Sequence, residues 1–325
     1  MNRHLRIPGV NRRSLRIAAL LWLSFLCMPM PGSASPGILI VGKSENGLFE
    51  HFRTAFTSHL PGAGSPDGPT RVQTRFLENG SLTAASIPPD TDLVVTVGSA
   101  AARAVSELEL SIPVLHTLIP RSVYQTIAVR QPACRRQSAI YIDQPLARQI
   151  ALAGLMFPQR TEYGLLLGPV SARRQQEIDD LQLPGSVRLT VRTVDTDDST
   201  MATGRELLGR SELIVAMNDP LVLSRENAKW LLYVAYQRGQ PVIGFSRAYV
   251  TAGAAGAVYS MPGQIARQAA ETVAAWRASP GACLSAAAFP RYFSAAVNQA
   301  VSESLGSALT DEEALAEVIL GQEAP

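Results

Sequence analysis

Residues 92–106 read DLVVTVGSAAARAVS, and this stretch decides the fold. Residues 92–97 form a short apolar run rich in β-branched side chains. Gly98 and Ser99 turn the chain, and an alanine-rich helix follows. A run apolar at successive positions suits a parallel strand covered by helices on both faces. The same unit recurs outward from it. Upstream lie a strand at 37–41 (GILIV), a helix at 48–60 with Leu48, Phe52, Ala55, Phe56 and Leu60 at helical spacing, and a strand at 71–77. A Pro-, Gly- and Ser-rich loop at 61–69 separates the last two. Downstream, residues 112–118 form a fourth strand.

A second series starts near Ser138. Strands are expected at 139–142, 163–167, 187–194, 213–217 (LIVAM) and 241–245, with helices at 145–157, 171–181, 201–209 and 224–238 between them. An amphipathic helix at 261–277 carries Ile265, Ala269, Val273 and Trp276 on one side. A strand at 293–297 and helices at 300–305 and 311–320 close the chain. Regular strand–helix alternation argues for open α/β sheets.

The first 34 residues read as a leader. Arg3, Arg6, Arg12, Arg13 and Arg16 precede an apolar run over 17–28, and small residues follow at 31–34. That order is the order of a secretory signal peptide, with cleavage expected after Ala34. About 12 apolar residues fall short of the roughly 20 that span a bilayer. A lipoprotein reading centred on Cys27 is less favoured, because bulky Leu26 precedes it. The expected location is the periplasm. The whole chain holds 29 basic and 27 acidic residues. Without the leader's five arginines, 24 basic residues face 27 acidic ones, a net charge of −3. The basic balance of the full chain is therefore no argument for a nucleic-acid partner. Removal of 34 residues from 325 leaves 291, enough for two domains. Cys134 and Cys283 remain, and in an oxidising compartment they either pair or stay as buried thiols.

Ligands of open α/β sheets bind beyond the carboxyl ends of the strands. The candidate binding residues are those just after strands. Lys43 and Ser44 follow the first; Lys43 is one of two lysines in an arginine-rich chain and suits an anionic group, or is a solvated loop residue. Ser99 and Ala100 open the helix after residues 92–97, where free N–H groups favour a carboxylate or phosphate. Ser171 follows the 163–167 strand, Asn218 and Asp219 follow LIVAM, and Ser246 and Arg247 follow the 241–245 strand. For each, a cap or turn role competes. Enzyme readings lack their parts. His4, His51, His59 and His116 show no metal-ligand spacing, and His116 reads as a core or rim residue. There is no G-x-S-x-G elbow and no G-x-G-x-x-G after a strand. The acidic residues at 195–198 read as a solvated loop. No cofactor, metal or catalytic residue is expected.

Residues 139–145 (AIYIDQP) and 163–169 (YGLLLGP), then 241–246 (PVIGFS) with 249–254 (YVTAGA), then 292–298 (YFSAAVN) with Leu305 and Gly306, occur in an order that resembles substrate-binding proteins of ABC importers. The likeness is to the type I periplasmic-binding-protein fold, and within it to the tryptophan-binding-like branch. It implies two Rossmann-like lobes with parallel sheets joined by a multi-segment hinge. Crossings are expected near 136–139, 242–245 and 289–292. One lobe then comprises 35–137 plus 246–290, and the other 138–245 plus 291–325. The resemblance also implies a carboxylate held at Ser99, lobes that close on a small polar or anionic solute such as an amino acid, a monomeric state, and a membrane permease as partner. A sensing accessory that hands its signal to a membrane receptor is the alternative.

Overall fold

The computed structural model describes residues 37–63, 70–128, 136–279, 281 and 283–323. The expected leader and cleavage site, and Cys134, lie outside them. Cys283 is disulfide-bonded.

The first lobe is a five-stranded sheet in the order β2-β1-β3-β4-β5, every pair parallel. Its strands are β1 (Gly37–Gly42), β2 (Arg71–Phe76), β3 (Thr91–Val97), β4 (Val114–Ile119) and β5 (Gln137–Tyr141). Helices α1 (Gly47–His59), α2 (Ser99–Ser106) and α3 (Arg121–Ile127) connect them. Alternation along β1 explains the layering. Ile38 and Ile40 pack with Phe49, Phe52 and Phe56 of α1 on one face. Leu39 and Val41 pack with Ala101 and Val105 of α2 on the other.

The second lobe is a six-stranded sheet in the order β11-β10-β9-β8-β6-β7. It contains β6 (Glu162–Leu167), β7 (Arg188–Thr193), β8 (Leu213–Val215), β9 (Val242–Gly244), β10 (Gly256–Tyr259) and β11 (Ser294–Val297). Its strands are parallel except β11, which runs antiparallel to β10. Helices α4 (Leu146–Met156), α5 (Gln175–Asp179), α6 (Asp197–Leu208), α7 (Arg225–Gln237), α8 (Arg247–Thr251), α10 (Gln299–Ser304) and α11 (Glu312–Gln322) belong with it. Leu165, Leu167 and Val215 face α4 and α11. Leu166 and Ile214 face α6 and α7. The remaining helix, α9 (Pro262–Arg277), returns to the first lobe, where Ile265, Ala269 and Val273 join the α1 core.

Two lobe boundaries differ from the sequence expectation. The strand placed at the start of the second series is β5, the edge of the first sheet. Ile140 is buried in the α1 core, and Ala139 and Tyr141 pack with Ala102 and Ile119. Both faces of β5 are thus covered by first-lobe residues, and the crossing falls after Tyr141. The second crossing falls after Tyr259. Pairing of Gly256 with Ile243 and of Ala257 with Gly244 keeps β10 in the second sheet. Short apolar strands at a boundary fit either sheet by pattern, and pairing decides between them.

A buried polar network ties the three crossings together. Gln144, Arg148 and Ser260 are all less than a tenth exposed. Gln144 Nε2 donates to Ser260 Oγ at 2.8 Å, and Ser260 Oγ donates to the Tyr292 carbonyl at 2.6 Å. Arg148 Nη1 donates to Gln144 Oε1 and to the Pro290 carbonyl, both at 2.7 Å. Its Nε and Nη2 clasp the Glu323 carboxylate at 2.6 and 2.8 Å, and its guanidinium lies 4.0 Å from the Phe293 ring centroid.

His116 sits fully buried in β4. Its Nδ1 is 2.9 Å from Thr96 Oγ1, and Nε2 has no hydrogen-bond partner among the described residues. Burial pulls its pKa from 6.5 down to about 4. The unfolded chain therefore binds a proton below about 6.5 that the folded chain refuses until about 4. This contribution is fully present above pH 6.5 and is lost as pH falls to about 4, about 3 kcal/mol in all. Urea unfolding at pH 7 and pH 5 should show the loss, and His116→Phe should reduce it. Equal pH sensitivity in the two proteins would contradict the assignment.

Candidate functional site

The carboxyl ends of β4, β6 and β8 meet around a cavity of about 280 Å3 between the lobes. The first lobe contributes Arg103 of α2 and Pro120, Arg121, Ser122, Gln125 and Thr126 in and before α3. The second contributes Val170, Arg173, Arg174, Asn218 and Pro220, and Asp143 lines it from the first crossing.

Local backbone geometry aims these groups. In β4 the register shifts between Thr117 and Ile119, and Leu118 takes φ +54°. A positive φ is unfavourable for a branched residue, and bulges of this kind re-aim a chain at strand ends. Here the bulge immediately precedes Pro120 and Arg121. On the opposite side, the fully buried Asp219 binds the two second-lobe loops to each other. Its Oδ2 accepts from the Val170 N–H at 3.0 Å, the Ser171 N–H at 2.7 Å and the Ser171 hydroxyl at 2.9 Å. Its Oδ1 accepts from the Leu221 N–H at 3.0 Å. Gly168 gives the carboxylate room, because a Cβ there would collide with it.

The cavity is rich in guanidinium groups. Glu177 receives Arg174 Nε at 2.8 Å and Nη2 at 2.6 Å, and Arg121 Nη1 at 3.3 Å across the lobes. Asp143 Oδ2 accepts from the Arg121 N–H at 2.6 Å. Burial pushes the Asp143 carboxyl above the usual range, opposed by that N–H and by the Arg174 charge. Arg103 and Arg173 are exposed. Arg103 has a long contact to Thr126 Oγ1 at 3.5 Å, and neither arginine has a carboxylate partner among the described residues. Among those residues no group of three His, Cys, Asp or Glu is arranged to hold a metal, and no helix is long and apolar enough to cross a membrane.

Of the residues singled out from sequence, Asn218 is exposed and lines the cavity. Ser99 is half-buried one turn before Arg103. Gly98, not Ser99, is the N-cap of α2, and it makes no side-chain cap bond. Lys43 and Ser44 are exposed on the loop after β1, Ala100 is exposed in the first turn of α2, and none of the three lines this cavity. Three others are committed elsewhere. Ser171 is buried against Asp219 and also accepts from the Gly168 N–H at 2.9 Å. Ser246 caps α8 by accepting from the Tyr249 N–H at 3.2 Å. Arg247 pairs with Glu312 at 2.6 Å and donates to the Tyr259 hydroxyl at 2.7 Å, in a separate bowl of about 460 Å3. Asp219, also singled out for its place after the 213–217 strand, spends its carboxylate on backbone N–H groups. Sequence reasoning missed Arg103, Arg121, Arg173 and Arg174. The signal for two of them was their place after strands, Arg121 after β4 and Arg173 after β6.

No family model and no curated protein sequence matches the chain. Solved structures do. The ligand-free, open structure of a substrate binding protein with adhesive properties from Clostridium difficile is 15% identical, with a TM-score of 0.65 over 86% of this chain and 97% of that one. An ABC domain in complex with L-Trp from Streptococcus pneumonia is 11% identical, with a TM-score of 0.55 over 87% of this chain and 98% of that one. This chain has the type I periplasmic-binding-protein fold. A conserved domain protein from Vibrio cholerae adds a further match, 18% identical with a TM-score of 0.54 over 86% of this chain and 97% of that one. At these identities the likeness is one of type I fold and not of ligand.

Proposed function

We propose that the protein is a solute-binding component of an ABC-type importer, which closes its two lobes on a small polar solute and performs no chemistry on it. One observation carries this reading: a cavity lined from both lobes at the carboxyl ends of their parallel strands. A solute touching both walls favours the closed state by the contacts it adds there. The volume of about 280 Å3 lies at the small end of ligand pockets. The resemblance to importer components supports a membrane permease as the recipient and the periplasm as the place of action.

Thermal unfolding against a panel of small polar metabolites tests the reading. At a concentration of about 100 Kd, a true ligand stabilises the fold by about 2.7 kcal/mol. Val170→Trp, which fills the cavity, should abolish the shift, whereas Tyr233→Ala on the exposed face of α7 should retain it. Flat curves across the panel, or a shift that survives Val170→Trp, would count against it.

A further inference from the structure

We infer that the cleft solute is a small organic dianion, held between Arg103 of the first lobe and Arg173 of the second. This rests on the solute-binding reading and names the class of solute.

The charges around the cavity divide into two sets. Arg121 and Arg174 are balanced by Asp143 and Glu177, through the contacts already described. These four groups hold the crossing and the α5 end of the second lobe, and Glu177 spends its remaining capacity on the Leu146 N–H at 2.9 Å. Arg103 and Arg173 stand outside this set. Each lines the same cavity, each is exposed, and neither meets a carboxylate among the described residues. One comes from each lobe. The cavity therefore offers two positive charges that no described carboxylate answers.

Closure makes that excess matter. Bringing the lobes together narrows the gap and moves two guanidinium groups into a less watery space, where like charges repel more strongly. A solute with two negative charges cancels the repulsion and gives each arginine an oxyanion to bind. Guanidinium groups match carboxylate and phosphate oxygens in paired hydrogen bonds. A neutral solute leaves both charges standing, and a monoanion leaves one. The same charges thus select the solute and hold the unliganded lobes apart. The hydroxyls of Ser122 and Thr126 and the amides of Gln125 and Asn218 line the same space and suit the uncharged part of a polar molecule.

Isothermal titration of the full protein tests this with succinate and glycerol 3-phosphate as dianions, acetate and lactate as monoanions, and alanine and glucose as neutral solutes. The two dianions also separate a carboxylate from a phosphate preference. At least one dianion should bind ten times or more tighter than every monoanion and neutral probe. Arg103→Gln and Arg173→Gln should each weaken it tenfold or more, and Arg188→Gln, at the opposite end of the second sheet, should not. Tighter binding of a monoanion or neutral probe, lost in Val170→Trp, would overturn the dianion assignment and leave the solute-binding reading intact. Dianion binding unchanged in both arginine variants would overturn it too. Absence of binding by all six probes would also overturn it, and the metabolite panel would then decide the solute-binding reading separately.

Discussion

Arg148→Met is expected to lower the unfolding free energy by about 3 kcal/mol. Removing one partner of a buried ion pair costs about 3–5 kcal/mol, because the groups left behind are uncompensated. Arg148 leaves behind the Gln144 side-chain oxygen, the Pro290 carbonyl and the Glu323 carboxylate. Glu323 is about one-third exposed and regains water, which sets the expectation at the lower end. Arg148→Lys should recover little, since an ammonium lacks the planar fork that reaches these acceptors together. Urea midpoints of the three proteins provide the measurement, and a loss below about 1 kcal/mol in Arg148→Met would contradict the role given to the network. Because Gln144, Ser260 and Tyr292 lie on three different crossings, the same substitution should also loosen the hinge. Faster amide exchange around residues 142–145, 260–261 and 290–293 is the expected sign.

Asp219→Ala should be at least as damaging, by about 3 kcal/mol or more. The N–H groups of Val170, Ser171 and Leu221 lose their acceptor, and an unsatisfied buried donor costs about 1–3 kcal/mol. Asp219→Asn should recover only part of this. Whichever way the amide turns, its NH2 faces groups that are themselves donors. Asn218, Val170 and Pro220, which line the cavity, sit on the loops this carboxylate joins. Solute affinity should therefore fall together with stability. Wild-type stability in Asp219→Ala, measured by urea unfolding, would remove the latch from the account.

The sheets were legible because their strands are apolar at consecutive positions. Residues 37–41, 93–97 and 213–217 announce burial on both faces, and the structure gives them that burial. Lobe membership of β5 and β10 was not legible, since short apolar strands next to a crossing fit either sheet by pattern. The site was harder to read. Strand-end position singled out Asn218, but the same rule also selected Ser171 and Ser246. The chain uses those hydroxyls to satisfy its own backbone at a loop and a helix start. The cleft arginines were hidden by abundance. Arginine supplies nearly every positive charge in this chain, and several such residues form ordinary surface pairs. Only spatial arrangement separates Arg103 and Arg173 from Arg192 or Arg210.

Distance measurement across the cleft tests the central claim most directly. Spin labels at Glu107→Cys in the first lobe and Arg225→Cys in the second report the separation of the two sheets; both sites are exposed and outside the cavity. Saturation with the solute that most stabilises the protein should shift the distance distribution to shorter values, and Val170→Trp should prevent the shift. An identical distribution with and without saturating solute would contradict closure of the lobes on a shared ligand.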